Sequence, residues 1–354
     1  MQFASDNATG ASRVILDAIV ASNSGAQPAY GADDDTKRAE TLLCDLFERE
    51  VAVFLVASGT ASNALALAAI APPWGAVFCH EDAHIANDEC GAPEMMTDGA
   101  KLIGMPGESG RVSTQALRET LAAFPRGLVK QVQPAALSLS QATECGTIYT
   151  TQEIAALADL AHGAGARVHM DGARFANALV RLGCSPAQMT WRAGVDILSL
   201  GATKNGALAC EAIVVFDMAL AADLAFRRKR AGHTLSKGRL LGCQMAAWLE
   251  NGHWRDLAAR ANAAADRLRA GLEGAGARLP WPTQANEVFA ILPRAADARL
   301  RAAGARFHDW GARSLPPGAG PTEREAFVRM VCSFATTNEE IDALVKITGE
   351  KSAV

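Results

Sequence analysis

Short runs of β-branched and apolar residues alternate with alanine- and leucine-rich stretches along most of this chain, and that alternation constrains its fold more than any other feature. The run VAVFLVA at 51–57 reads as a buried strand, with a helix opening directly behind it at 60–70. Further strands are expected at 76–80, 102–105, 137–141, 167–171, 195–200 and 212–217, and helices at 37–50, 114–123, 151–163, 174–182 and 220–230. Strands separated by helical patterns predict a mainly parallel central sheet wrapped by helices on both faces, the α/β class. Past Gly252 the rhythm changes. A long alanine- and arginine-rich helix at 254–274 precedes Pro280-Trp281-Pro282, a strand at 288–292, a helix at 296–303, a strand at 327–334 and a helix at 338–347. The expected organisation is a large α/β domain over 1–252, with an N-terminal arm at 1–25, and a smaller C-terminal α+β domain over 253–354. The segment LPPGAGP at 315–321 reads as a loop.

Composition excludes several function classes. A formal charge of −4 gives no general attraction to nucleic acid or anionic membranes, so neither is expected as a partner. No apolar stretch approaches the length of about 20 residues that a membrane span needs. The first seven residues show neither the basic flank nor the apolar run of a signal peptide. Eight cysteines are scattered singly without a C-x-x-C pair, which reads as reduced thiols in a cytoplasmic protein rather than a metal site.

Three segments carry chemistry. Val168-His169-Met170-Asp171-Gly172-Ala173-Arg174 ends a strand at Asp171, and a helix begins near Arg174. Ligands of open α/β sheets sit at the carboxyl ends of strands. An aspartate there can accept a charge-assisted hydrogen bond from a protonated pyridine nitrogen and keep that ring an electron sink. The same aspartate also fits a plain helix cap. A second strand end, Leu200-Gly201-Ala202-Thr203-Lys204, delivers a lysine. A free lysine, with a pKa of about 10.4, is protonated at neutral pH. A Schiff base to a cofactor aldehyde removes that obstacle, although a lone strand-end lysine equally fits a solvated surface. Third, Ser58-Gly59-Thr60 stands between a strand and a helix, where Gly59 admits close backbone approach and free N–H groups and hydroxyls suit one phosphate. An ordinary N-cap is the alternative. No Walker A lysine or G-x-G-x-x-G run points to a nucleotide. His80 and His84 have metal-like spacing, but the segment reads as a loop after a strand; no metal is expected, and His84 could stack on a cofactor ring or simply cap.

These elements, in this order, resemble the threonine aldolases of the β-eliminating lyase group, within the aspartate aminotransferase superfamily (fold type I). The motifs that carry the resemblance are Phe3-Ala4-Ser5-Asp6-Asn7, Tyr30-Gly31-x-Asp33, Ser58-Gly59-Thr60-Ala61-x-Asn63, Asp88-Glu89-Cys90-Gly91-Ala92-Pro93-Glu94, the His169–Ala178 run and Gly201-Ala202-Thr203-Lys204-Asn205-Gly206. Bacterial low-specificity L-threonine aldolases look nearest, with phenylserine aldolases close by. The resemblance implies a pyridoxal 5'-phosphate lyase that cleaves L-threonine, L-allo-threonine and related β-hydroxy-α-amino acids reversibly to glycine and an aldehyde. It implies Lys204 as the Schiff-base lysine, Asp171 on the pyridine nitrogen, and Ser58, Gly59 and Thr60 on the phosphate. His84 would stack on the ring and help move a proton. Arg174 would contact the cofactor or the substrate carboxylate, and Ser5 and Arg329 would bind that carboxylate. It also implies a homotetramer, a dimer of dimers with active sites at the dimer interface. Tyr30, as a substrate-binding residue, and a basic residue of 227–237 would serve there, the latter reaching the partner's phosphate. One departure stands out. Where many relatives have Asn-Thr-His-Asn, this chain reads Gln141-Ala142-Thr143-Glu144, so the general base stays open between His84, water, Glu89 and Glu144. The competing readings are another lyase or a transaminase using the same cofactor, and a cofactor-binding regulator without turnover.

Overall fold

The computed structural model describes residues 1–311, 315, 316 and 318–350. Seven strands form the central sheet: β1 (Ala52–Val56), β2 (Gly75–His80), β3 (Lys101–Met105), β4 (Gln133–Ser140), β5 (Arg167–Gly172), β6 (Ile197–Gly201) and β7 (Glu211–Val215). Their order is β1-β7-β6-β5-β4-β2-β3. The pairs from β6 across to β3 are parallel, whereas β7 runs antiparallel to both β6 and β1. The sheet is mainly parallel, as expected, with one reversed strand.

Strand geometry sends alternate side chains to opposite faces. In β6, Leu198 and Leu200 join an apolar layer with Leu137, Leu139, Val168 and Met170. Ile197 points the other way, to Val77, Ile213 and Val215. Because both faces are covered, these strands read as nearly continuous apolar runs. The helix Gly59–Ile70 is apolar around almost its whole circumference and is correspondingly buried against β6 and β7.

The second sheet holds β8 (Glu287–Pro293), β9 (His308–Asp309) and β10 (Glu325–Val331) in the order β8-β10-β9, all antiparallel. Helices His253–Gly274 and Asn338–Gly349 cover it, packing Leu268, Leu272, Ile341 and Leu344 against Val288, Val328 and Met330. The first residues of the chain join this layer. Phe3 is fully buried there; its N–H donates to the Arg306 carbonyl, and its own carbonyl accepts from the Val331 N–H, both at 2.8 Å.

Several element ends differ from expectation for identifiable reasons. The helix expected at 37–50 is Asp34–Phe47. Asp33 caps its start, accepting from the Thr36 N–H at 2.8 Å, and Glu48 turns left-handed at φ 58° to end it. The strand expected at 137–141 begins earlier, because Gln133, Pro134 and Ala136 already pair with β2. The strand expected at 327–334 ends at Val331, and the helix expected at 220–230 begins at Leu224, after a tight turn capped by Asp217. Helices Arg13–Ser22 and Arg239–Leu249 carried no expectation. Within the loop expected at 315–321, Pro317 lies outside the described residues. Among the described residues no helix is long and apolar enough to cross a membrane.

Candidate active site

Strands β2, β4, β5 and β6 run parallel, so their carboxyl ends open along one edge of the sheet, where such folds place ligands. A cavity of about 370 Å³ lies there. Strand β5 contributes Asp171 to its wall, the helices and turn that follow β1, β2 and β6 contribute Gly59, His84 and Lys204, and the second sheet and N-terminal segment contribute Arg329 and Ser5.

Asp171 is 6% exposed. Its Oδ1 accepts from the Ala173 N–H at 3.0 Å and its Oδ2 from Asn63 Nδ2 at 2.8 Å. The following helix, Phe175–Leu182, starts at Arg174 without a side-chain cap, so the carboxylate is not spent on capping it. Asn63 also donates to Glu89 Oε1, at 2.8 Å, and thereby clamps the two acids together. Behind Asp171, fully buried His169 bridges Ser138 and Ser199 at 2.9 and 3.0 Å; burial pushes its imidazole down to about 4, so it stays neutral.

Lys204 sits half-buried in the short turn Thr203–Asn205 after β6, and among the described residues it makes no hydrogen bond or ion pair. The turn itself is pinned: Trp248 Nε1 donates to the Asn205 carbonyl at 3.0 Å, and Asn205 Nδ2 to the Trp254 carbonyl at 2.8 Å. Glu211 on β7 closes the floor below the lysine. Burial pushes its carboxyl up to about 7, against the opposing hydrogen bond to Thr203 and the charge of Lys204.

His84 opens the short helix His84–Asn87 rather than lying on a loop. Its Nδ1 bonds Glu89 Oε1 at 2.8 Å, and that contact raises the imidazole's proton affinity. The His84 backbone N–H donates to Glu144 Oε1 at 2.9 Å, and Ser140 Oγ donates to the same oxygen at 2.7 Å. His80, its neighbour in the metal-like spacing, is otherwise engaged. Its Nδ1 accepts from the Asp82 N–H and its Nε2 meets the Gly107 carbonyl.

The opposite wall is an ion-pair network. Arg174 makes a two-pronged pair with Asp6, at 2.9 and 3.1 Å, and its Nη1 is 3.3 Å from Glu287. Burial alone would raise the Asp6 carboxyl, but Arg174 and Lys204 outweigh it and hold it low. Arg329 on β10 lies 3.7 Å from the same Glu287, and its guanidinium rests 4.5 Å over the Trp310 ring. Arg174 is thus committed to two buried carboxylates, while Arg329 holds one loosely.

The expected phosphate donors divide. Gly59 lines the cavity at the start of its helix, and a Cβ added there would meet nothing within 4 Å, leaving room for an anion. Ser58 caps the helix through the Ala61 N–H at 3.3 Å, and neither it nor Thr60 lines the cavity. Tyr30 is not brought to the cavity of its own chain: it is 56% exposed, beneath Lys229 Nζ at 4.8 Å. The basic residues of 227–237 also lie away from it, with Arg227 and Arg228 reaching the carbonyls of Met96 and Leu55. Sequence reading named no role for Asn63, Asp6, Glu211, Glu287 or Trp310. Asn63 had a signal, standing one helical turn after Gly59 on the same face.

A family model described as beta-eliminating lyase matches residues 2–295. The chain is 39% identical to a low specificity L-threonine aldolase of Pseudomonas aeruginosa, over 98% of this chain and 96% of that protein. It is 40% identical to another from Pseudomonas sp., over 87% and 88%. Among solved structures, a threonine aldolase of Leishmania major superposes with a TM-score of 0.90 at 28% identity, over 98% of each chain. A serine palmitoyltransferase of Sphingomonas wittichii shares the fold, at 14% identity and a TM-score of 0.68 over 99% of this chain and 86% of that one.

Proposed function

The chain belongs to the beta-eliminating lyase family, and on that premise we propose that its cavity holds pyridoxal 5'-phosphate through Lys204, Asp171 and the helix start at Gly59. The protein is a pyridoxal-phosphate lyase of threonine aldolase type, cleaving L-threonine to glycine and an aldehyde. L-allo-threonine and phenylserine belong to the same proposed range. One observation carries the site assignment: a lysine without a hydrogen bond or ion pair among the described residues, a buried aspartate and an open helix start converge on one cavity that also contains an arginine.

Bound there, the cofactor supplies a ring that takes up the electron pair released when a bond to the substrate's α-carbon breaks. The chain does the rest. Lys204 carries the covalent link. Asp171, held by Asn63 and the Ala173 N–H, keeps a charge-assisted bond to the ring nitrogen. His84 covers the ring, steadied by Glu89. Arg329 and Ser5 hold the substrate carboxylate, and Arg174, locked to Asp6, keeps that wall in place. Anchoring the carboxylate fixes which bond of the α-carbon stands across the ring, a positioning effect.

The decisive experiment incubates the purified protein with L-threonine, L-allo-threonine, L-phenylserine and their D-isomers, and measures glycine and aldehyde. Both products should appear from the L-compounds alone. A keto acid with the pyridoxamine form would indicate a transaminase; bound cofactor without product would indicate a regulator. Arg329→Leu should lower kcat/KM mainly through KM, by roughly 10–100-fold, since hydrogen bonds to a charged group contribute about 1.5–3 kcal/mol. Arg329→Lys should recover only part, because an ammonium lacks the fork. An unchanged KM would remove Arg329 from the substrate site.

A homotetramer with active sites at its dimer interfaces is part of the same proposal. Tyr30 (56% exposed) and Phe226 (74% exposed) flank the basic residues of 227–237 and support it. Light scattering across protein concentrations tests it. The cytoplasm as location, and a domain boundary near Gly252, are proposed alongside.

A further inference from the structure

Cleaving a β-hydroxy amino acid between its α- and β-carbons needs an acceptor for the hydroxyl proton. Among the groups that line the cavity, His84, Glu89 and Glu144 are the side-chain candidates, and their geometry separates them. His84 bonds the Glu89 carboxylate through Nδ1, a contact that raises its proton affinity, and its ring makes no hydrogen bond to Ser140 or Glu144. Glu89 already accepts from both His84 and Asn63 through Oε1, and its side chain has no exposed surface. Glu144 differs. Its Oε1 receives the Ser140 hydroxyl at 2.7 Å and the His84 N–H at 2.9 Å, so a cavity-lining hydroxyl leads to it, as none does to Glu89; the Oε2 of each acid is buried without a hydrogen-bond partner among the described residues. Ser140, the last residue of β4, itself lines the cavity.

We propose that Ser140 and Glu144 form one proton-accepting unit for the substrate's β-hydroxyl, with Ser140 Oγ touching the hydroxyl and Glu144 holding the proton behind it. This rests on the aldolase reading. In the step, the substrate O–H proton passes to Ser140 Oγ as the Ser140 proton passes to Glu144 Oε1. The O–H bonding pair becomes the second bond of the aldehyde carbonyl. The Cα–Cβ bond breaks with its pair left on the α-carbon, which takes up one proton before glycine leaves, so no net proton is consumed.

The electrostatics suit the task. Burial pushes the Glu144 carboxyl up to about 7, against the bonds from Ser140 and His84, and acid–base groups work best near the ambient pH. The other groups facing it are Asp171, Cys79, Tyr149 and Arg174. Burial drives the Cys79 thiol up to about 12 and the Tyr149 phenol higher still, and Arg174 stays charged, so none of these three titrates alongside it.

The test has an activity arm and a spectroscopic arm. With L-threonine, Glu144→Gln and Ser140→Ala should each lower kcat by ~10²-fold or more, the usual worth of acid–base assistance. The double variant should fall little further, as parts of one unit do. Exchange of the glycine α-proton in deuterium oxide, which involves no β-hydroxyl, should persist in all three. The cofactor-free protein should show, by difference infrared spectroscopy, a carboxyl group titrating near neutrality that is missing from Glu144→Gln; Glu211 remains in both. Cleavage retained in either variant, glycine exchange lost together with cleavage, or an unchanged infrared titration would overturn the unit. Wild-type cleavage would still stand in each of those cases, so the aldolase reading fails separately. Should Glu144→Gln not fold, Ser140→Ala decides, since it leaves the acid in place.

Discussion

Lys204→Ala should abolish turnover and the visible absorbance of linked cofactor together, with kcat down by ~10³-fold or more. The structure explains why this loss would be chemical and not structural. Lys204 makes no hydrogen bond or ion pair among the described residues, and its turn is held by Asn205 through Trp248 and Trp254. Truncating the side chain therefore removes no support, and the thermal midpoint of the cofactor-free protein should hardly move. Removing a cation near Asp6 and Glu211 should raise both carboxyls somewhat, because Lys204 lowers each of them in the intact protein. A variant that keeps its colour and still releases glycine would overturn the assignment of the lysine.

The second large effect is expected at Asp171. Asp171→Asn keeps the size of the side chain and a carbonyl oxygen for Asn63, so the clamp to Glu89 can survive. What it removes is the negative charge, together with the acceptor oxygen that faces the Ala173 N–H. A neutral amide cannot hold a proton on the ring nitrogen as a carboxylate does, since the charge-assisted bond is roughly twice as strong. We expect kcat to fall on the order of 10²–10³-fold, as when one directed electrostatic contact is lost from an active site, while cofactor still binds. Steady-state kinetics with L-threonine, alongside the spectrum of the bound cofactor, checks this. A change of only a few-fold would show that Asp171 does not face the ring nitrogen.

The parts of the site legible from sequence are those that strand ends deliver locally. Asp171 and Lys204 terminate parallel strands, and a buried parallel strand announces itself by its apolar run and the polar residue that stops it. The reversed direction of β7 was not legible, because an apolar run has no arrow; only pairing partners decide its sense. Helices Arg13–Ser22 and Arg239–Leu249 escaped notice for another reason. The first begins with β-branched residues, and the second carries an internal glycine, Gly242, whose missing Cβ lets it lie directly on the Thr36 backbone. Local propensity argues against both, and packing overrides it.

Contacts formed only in the fold account for the remaining differences. Ser58 and Thr60 read as phosphate donors from their residue types; Ser58 Oγ accepts the Ala61 N–H of its own helix and keeps its O–H as a donor. Arg174 read as a ligand-binding arginine, yet its partner Asp6 arrives from the far end of the chain. No local pattern records that meeting, because it depends on Phe3 docking beside Val331. The Ser140–Glu144 pair was half visible. The sequence departs there from the motif of many relatives, but the shared hydrogen bond and the depth of burial belong to the folded state.

That docking of Phe3 has a consequence for how the protein comes into being. Ser5 and Asp6 leave the ribosome more than 300 residues before Arg329 and Val331, and the wall that receives substrate needs both. A nascent chain can assemble the seven-stranded sheet, with Lys204 and Asp171 already at their strand ends, long before that wall exists. Cofactor capture and substrate capture are therefore separable in time during synthesis. A ribosome stalled once the chain through Trp254 has emerged should display a lysine ready for the cofactor and no grip on an amino acid.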